Sequence, residues 1–383
     1  MWLTCTWNDL GMKRLVLLGG GHAHVHVLQA MARQPFAGVQ TLLVTPFVRQ
    51  MYSGMVPGLV AGHYTQEECA IPLSPLIQAA RVQMVEASAT QIDAAAHGVT
   101  LSDGRLAEYD ILSMDTGSVM SRDSIPGAHE HGLFVRPIEH FARLQESLVE
   151  LAAKRALDIV VLGGGAAGVE LAMALHWRLT QRGAEPARIA LVTGGPAPLN
   201  GYPPAVMNRV AAALRQRRIT VLQEPCVGIT AGHVELANGA RVACDAAIVA
   251  IGGQAPAWLQ GSGLALDPQG FVLTGPTLQS VSHETVFAVG DVATRGDAPH
   301  PKSGVHAVRA GPPLAANLRS ALAGAPLVPY VPPQRTLNLV SCGNRSAIAC
   351  WGHWSAQGRW VWWAKDHIDR AFVRRYSHPI PAA

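Results

Sequence analysis

The sequence predicts a three-layer α/β protein: two parallel-sheet units and a small α+β tail. Two stretches carry most of this. "LVLLGGGHAHVHVLQA" (Leu15–Ala30) and "DIVVLGGGAAGVELAMAL" (Asp158–Leu175) each run from a short apolar strand, through three glycines, into apolar residues at helical spacing. Length and composition agree. The 383 residues, 49% of them hydrophobic, suffice for roughly two to three domains with a substantial core.

Taken in order, the chain begins with "MWLTCTWNDLG", which lacks a basic start followed by an apolar stretch and so does not resemble a signal peptide. Met12-Lys13-Arg14 looks like a natural start, and residues 1–11 are expected to form a loose extension. No apolar run reaches the ~18 residues a membrane span needs. The net charge of +4 is too mild to indicate nucleic acid, and Arg215, Arg217 and Arg218 are expected at the solvated end of a helix. Cys5, Cys69, Cys226, Cys244, Cys342 and Cys350 are scattered without a C-x-x-C pair. They read as reduced thiols of a cytoplasmic protein rather than a zinc or disulfide site.

In the first turn, Leu15–Leu18 form the strand, Gly19 and Gly21 the tight turn, and Val25, Leu28 and Ala32 a helical face ending before Pro35. This is the context of a dinucleotide-binding turn, which places a pyrophosphate on a helix N-terminus. The third glycine of the pattern is replaced by His24. A metal site of His22, His24 and His26 is the competing reading. On a helix, His22 and His26 share one face and His24 lies on the other, so only a strand would align all three. No metal is expected, and His24 is expected to be packed or hydrogen-bonded.

The second turn is complete: Gly163, Gly165 and Gly168 follow Ile159–Leu162 and precede Val169, Ala172, Met173, His176 and Leu179, with Gly183 a natural stop. The strands that follow the two helices end at Thr45 and Thr193, not at the acid that binds a ribose 2′-hydroxyl. NADH and NADPH therefore both remain open.

Three further segments complete a pattern. They are "YDILSMDTGS" with Thr116-Gly117, "AAIVAIGG" with Gly252, and "TVFAVGDVA" with Gly290-Asp291. With the two turns they resemble, over about residues 13–325, the pyridine nucleotide–disulfide oxidoreductase superfamily. "YSGMVPGLVAGHY" (Tyr52–Tyr64) is similar to type II NADH dehydrogenases. Together with "GGGHAH" and "WAKDHIDRAF" it most resembles the flavoprotein module found fused to selenide, water dikinase, here without a kinase half.

The resemblance implies FAD on Gly19, Gly21, His22 and Ala23, with Thr116, Gly117, Gly290 and Asp291 along it and Asp291 on the ribityl chain. A helix N-cap is the alternative for Asp291. It implies NAD(P)H on Gly163, Gly165, Gly168 and Gly252. Glu170, in the first helical turn, would lie near the nicotinamide or merely complement the helix dipole. In "PKSGVHAVRAG" (Pro301–Gly311), Gly304 would let a helix start approach the flavin, and Lys302 would add charge there or be an ordinary surface lysine. Pro312-Pro313 should break that helix.

The implied architecture is an FAD-binding domain of residues 12–118 and 254–325, an inserted NAD(P)-binding domain of 119–253, and a tail of 326–383. The implied activity is transfer of hydride from NAD(P)H through FAD to a quinone-like or other small acceptor. A flavin-binding partner or sensor protein linked to selenophosphate synthesis is the alternative. A disulfide reductase lacks its cysteine pair, since only Cys69 lies between residues 6 and 225. A sulfide:quinone oxidoreductase is likewise disfavoured, because Cys342 has no partner ahead of the second turn.

In the tail, Trp360, Trp363, Ala364, His367, Ile368, Ala371 and Phe372 make one helical face, with Lys365, Asp366, Asp369, Arg370 and Arg374 mainly on the other. A Trp-rich basic helix over 359–376 suits a peripheral contact with the inner face of the cytoplasmic membrane. The competing expectation packs this apolar face on the FAD-binding domain or on the partner subunit of a homodimer.

Overall fold

The computed structural model describes residues 11–182 and 187–378. Most of the expected loose start, and the expected helix stop at Gly183, lie outside the described residues. The first sheet is parallel. Its strands are β1 (Lys13–Leu18), β2 (Val39–Val44), β3 (Gln83–Val85), β4 (Ile111–Met114) and, far along the chain, β10 (Val286–Ala288), in the spatial order β10-β4-β1-β2-β3.

The second sheet falls entirely within that sequence gap. Its strands β5 (Gly132–Phe134), β6 (Asp158–Leu162), β7 (Arg188–Val192), β8 (Thr220–Leu222) and β9 (Ala246–Val249) are parallel in the order β5-β9-β6-β7-β8. The two crossings between sheets run side by side: Val119 and Gln254 exchange backbone hydrogen bonds of 2.9 and 2.7 Å.

Both sheets are buried on both faces, as parallel sheets with crossover helices require. In β1, Leu15 and Leu17 pack with Val25 and Leu28 of α1 (His22–Arg33). Val16 and Leu18 point to the opposite layer with Leu42, Val44, Leu112 and Met114. Alternation along the strand thus distributes one apolar run between two cores. The second turn opens α2 (Ala166–Arg182), whose Val169, Ala172, Met173 and Leu179 are buried against the second sheet.

Three expectations are corrected here. First, α3 (Gly304–Ala323) runs unbroken through Pro312 and Pro313. Both prolines lie on the outer side, while Gly311, Leu314, Ala315 and Leu318 are buried. Gly311 presses on His26 of α1. The carbonyls deprived of an amide partner belong to Val308 and Arg309, which are half-buried and exposed, so the loss falls on the outer side of the helix.

Second, Arg217 turns back from the helix end: its guanidinium donates to the Ala213 carbonyl and to Asn344 Oδ1, each at 2.8 Å. Only Arg215 and Arg218 are exposed.

Third, the tail helix presents the opposite face. The tail is an antiparallel sheet of β11 (Asn338–Ser341), β12 (Ala347–Trp351) and β13 (Trp354–Gly358), followed by α4 (Arg359–Ser377). The buried residues of α4 are Val361, Trp362, Lys365, Asp369, Val373 and Tyr376. Lys365 Nζ binds Asp369 Oδ2 and the Gly54 carbonyl, each at 2.6 Å, so the two charges enter the core as a matched pair. The expected apolar face looks outward instead, with Trp360, Trp363 and Ile368 each about half exposed, beside exposed Trp351 and Trp354 of the hairpin. Among the described residues no helix is long and apolar enough to cross a membrane.

Candidate cofactor site

The first turn is built around a side chain that the sequence reading passed over, Asp115. It ends β4 and is 4% exposed. Gly19 has φ +93, and a Cβ there would meet the Asp115 carbonyl at 2.5 Å. A Cβ on Gly21 would lie under 3.0 Å from the Asp115 carboxylate, and one on Gly290 (φ +69) would lie 2.9 Å from Asp115 Oδ1. Three of the expected FAD-binding glycines are therefore glycines because one acid fills the space beside them. Asp115 Oδ2 accepts the amides of Ala23 at 2.7 Å and His24 at 3.0 Å, capping α1 from another strand. Of the expected FAD contacts, the Ala23 amide is already engaged. The amides of Gly20, Gly21 and His22 donate to no group among the described residues.

His24 explains how the pattern survives without its third glycine. It is fully buried, with Nδ1 2.5 Å from the Gly19 carbonyl and Nε2 2.8 Å from Ser113 Oγ. Burial pushes its pKa down to about 4, so it is neutral. A carbonyl only accepts, so Nδ1 carries the proton and Nε2 accepts from the Ser113 hydroxyl. The ring ties the turn to β4 where a glycine would merely let them touch. His26 faces elsewhere, its Nδ1 3.0 Å from the Tyr376 hydroxyl, and the half-buried His22 ring lies against Tyr52 and Phe372. The three histidines thus have three different sets of partners, and no group of metal-binding side chains occurs among the described residues.

Thr116 and Gly117 follow Asp115 directly, and Gly117 has open space where a Cβ would stand. Asp291 caps no helix: its carboxylate is paired with Arg136 Nη2 at 3.1 Å. Arg136 also donates to Ser118 Oγ, so this guanidinium, which no motif announced, spans the crossing between the two sheets. At the start of α3, the amides of Gly304 and Val305 donate to nothing among the described residues, and Gly304 lies close to Ser53 of the Tyr52–Met55 turn.

Lys302 is half-buried rather than an ordinary surface lysine. Its ammonium donates to the Ala293 carbonyl and to Thr294 Oγ1 and sits 3.8 Å from the Phe271 ring centroid. Burial lowers its pKa to about 8, with the Asp267 and Asp291 carboxylates pulling the other way.

In the second turn, Gly163 (φ +134) and Gly168 are close-packing positions. A Cβ on either would lie under 3.0 Å from a backbone carbonyl, that of Ala250 or of Gly163 itself. Gly165 and Gly252 instead face open space. No acid stands in the first turn of α2. Glu170 lies just beyond that turn and does not complement the helix end. It accepts the Ser341 amide at 2.6 Å and faces Lys365 across the tail. Burial raises its carboxyl to about 7, with Lys365 and the Ser341 amide pulling the other way.

Each sheet thus ends in a glycine turn, the first with helix amides unpaired among the described residues and the second with an outward-facing Gly165. A family model for pyridine nucleotide-disulphide oxidoreductases matches residues 13–311. The chain belongs to that family.

Its relatives include an NADH dehydrogenase-like protein of Mycobacterium tuberculosis, 28% identical over 74% of this chain and 73% of its own. Another is the demethylphylloquinone reductase NdbB of Synechocystis, 27% identical over 82% and 81%. Among solved structures, the fold matches sulfide:quinone oxidoreductase of Aquifex aeolicus (TM-score 0.82, 21% identity, 96% of this chain and 92% of that one). It also matches NDH2 of Plasmodium falciparum in complex with NADH (TM-score 0.77, 12% identity, 96% and 99%).

This member of the pyridine nucleotide-disulphide oxidoreductase family is an FAD-dependent NAD(P)H oxidoreductase. The residues present fit both nucleotides. The crowded glycines leave no room for side chains at either turn, and free amides at the start of α1 and an open Gly165 at the start of α2 suit a pyrophosphate. Bound FAD supplies the two-electron chemistry. The protein contributes the two cradles and the uncapped start of α3.

Proposed function

We propose that this chain oxidises NAD(P)H and delivers the electrons to a quinone at a membrane surface. The observation that carries the reading is the pair of glycine cradles in one chain, joined by paired crossings, with Glu170 between the second cradle and the tail. Gly19, Gly21, His22, Thr116, Gly117, Gly290 and Gly304 line the FAD position. Gly163, Gly165, Gly168 and Gly252 serve NAD(P)H. The FAD-binding domain of this reading comprises residues 12–118 and 254–325, the NAD(P)-binding domain 119–253, and the tail 326–383.

Quinone reduction consumes protons as well as electrons. Glu170, raised to about 7, is poised to hold and release one near neutral pH. A sulfide substrate is less well supported. Cys69 and Cys342 are buried and their thiols pushed up to about 12, far from the thiolate such chemistry needs. The exposed Trp351, Trp354, Trp360 and Trp363 are amphipathic side chains of the kind that settle at a lipid headgroup layer. They favour peripheral attachment at the inner face of the cytoplasmic membrane.

The test is anaerobic stopped-flow absorbance on the purified chain. NADH or NADPH should bleach the FAD band within the mixing experiment's first seconds, and a short-chain naphthoquinone should restore it. A chain that carries FAD and stays oxidised under both nucleotides would instead be a flavin-binding partner protein.

A further inference from the structure

We propose that Asp115 is a proton-coupled ligand of the first cradle: the chain takes up one proton, on Asp115, when FAD binds. The inference rests on the assignment of FAD to that turn and goes beyond it. Asp115 is 4% exposed, and its Oδ2 already occupies the second and third amides of α1, Ala23 and His24. The amides left for a pyrophosphate belong to Gly20, Gly21 and His22 of the same turn. The cofactor's doubly negative group and the Asp115 carboxylate would therefore share one helix end, in a space so close that Gly21 and Gly290 have no room for a Cβ.

The surrounding charges offer little relief. From α1, the His22 ring faces Asp115 but burial lowers its pKa, and the neutral His24 ring is turned to Gly19 and Ser113. From the turn after β10 comes Asp291, another carboxylate, whose cation Arg136 is already engaged with it. Like charges at one desolvated site resolve by protonating one of them. The phosphates are far stronger acids than a carboxyl group, so the proton goes to Asp115. The step is a simple association: a solvent proton bonds to Oδ1, the carboxylate becomes a neutral acid, and Oδ2 keeps its two amide bonds. Even without the cofactor, burial holds this carboxyl well above the ordinary carboxylate range, at about 6. At the second turn the position whose carbonyl crowds Gly163, as that of Asp115 crowds Gly19, is Ala250, which carries no carboxylate, so the NAD(P)H cradle carries no such coupling.

The experiment dilutes the full-length FAD-loaded chain across pH 6 to 8.5 and reads released FAD by its fluorescence. Uptake of one proton makes Kd rise close to tenfold per pH unit above the free carboxyl's titration point. Asp115→Asn should flatten this dependence and hold FAD at least tenfold more tightly than the parent at pH 8. His22→Asn should leave the slope intact. A parent Kd that is flat across the range overturns the proposal, as does a slope that persists in D115N or disappears in H22N. If D115N does not fold, the parent slope and its survival in H22N decide the matter. A chain that purifies without FAD and takes none up would defeat the cofactor assignment itself, which is a separate result from a flat slope.

Discussion

At the scale of single residues, the site is governed by what cannot fit. A Cβ at position 168 would lie under 3.0 Å from the Gly163 carbonyl, which is backbone and cannot swing aside. Gly168→Ala should cost about 1–3 kcal/mol as overpacking. It should abolish rapid reduction by NAD(P)H while FAD stays bound, read as an intact absorbance band that no longer bleaches. Glu170 gives a pH-dependent prediction. Its carboxyl, raised from 4.5 to about 7, contributes stability that is full below pH 4.5 and is lost as pH rises through 7. Glu170→Gln should therefore melt higher than the parent at pH 8.5 and no higher at pH 4.5; an identical difference at both would refute the assignment. The glycines were legible in the sequence because their spacing is a local pattern. Asp115 was visible only as a letter in "SMDTGS". Its role depends on α1, which lies some ninety residues earlier, and no local rule reports that.

At the scale of elements, α3 and α4 both depart from what their sequences suggest. Prolines inside α3 were expected to break or restart it, yet with Gly311, Leu314 and Leu318 packed on α1 it runs on without interruption. Pro312→Ala with Pro313→Ala should restore two amide donors and stabilise the chain by about 1 kcal/mol or more, a rise of a few degrees in Tm. The gain is below the cost of two interior prolines because they also stiffen the unfolded chain. In α4 the apolar residues form more than one stripe, so periodicity alone could not choose the buried one. The choice falls to the Lys365–Asp369 pair, whose ammonium satisfies the Gly54 carbonyl and whose carboxylate meets Tyr52. Lys365→Met leaves that carboxylate buried without a cation and should cost about 3–5 kcal/mol in denaturant unfolding. Adding Asp369→Leu should recover much of the loss.

At the scale of the whole molecule, the inserted second sheet and the tail bring together segments that are distant in sequence. Glu170 of α2 meets Ser341 of the tail, and Tyr52 meets Phe372 at a ring-centroid distance of 4.5 Å. The exposed tryptophans among the described residues all belong to the tail, on its hairpin and on α4. Replacing Trp360 and Trp363 together by Ser should reduce co-sedimentation with anionic phospholipid vesicles several-fold and leave reduction by NAD(P)H unchanged; equal co-sedimentation would remove the membrane assignment. By itself the sequence determined the α/β class, the two glycine turns and the order of their segments. Each of those is written in contiguous residues whose period or spacing has one physical meaning. The tertiary structure alone decided which face of α4 is buried, that α3 survives its prolines, that Lys302 is tied to the Ala293 carbonyl, and that Asp115 and Arg136 lie at the first turn and the crossing. Those outcomes depend on burial and charge pairing between elements far apart in the chain, where the free energy of desolvation, rather than local propensity, selects the arrangement.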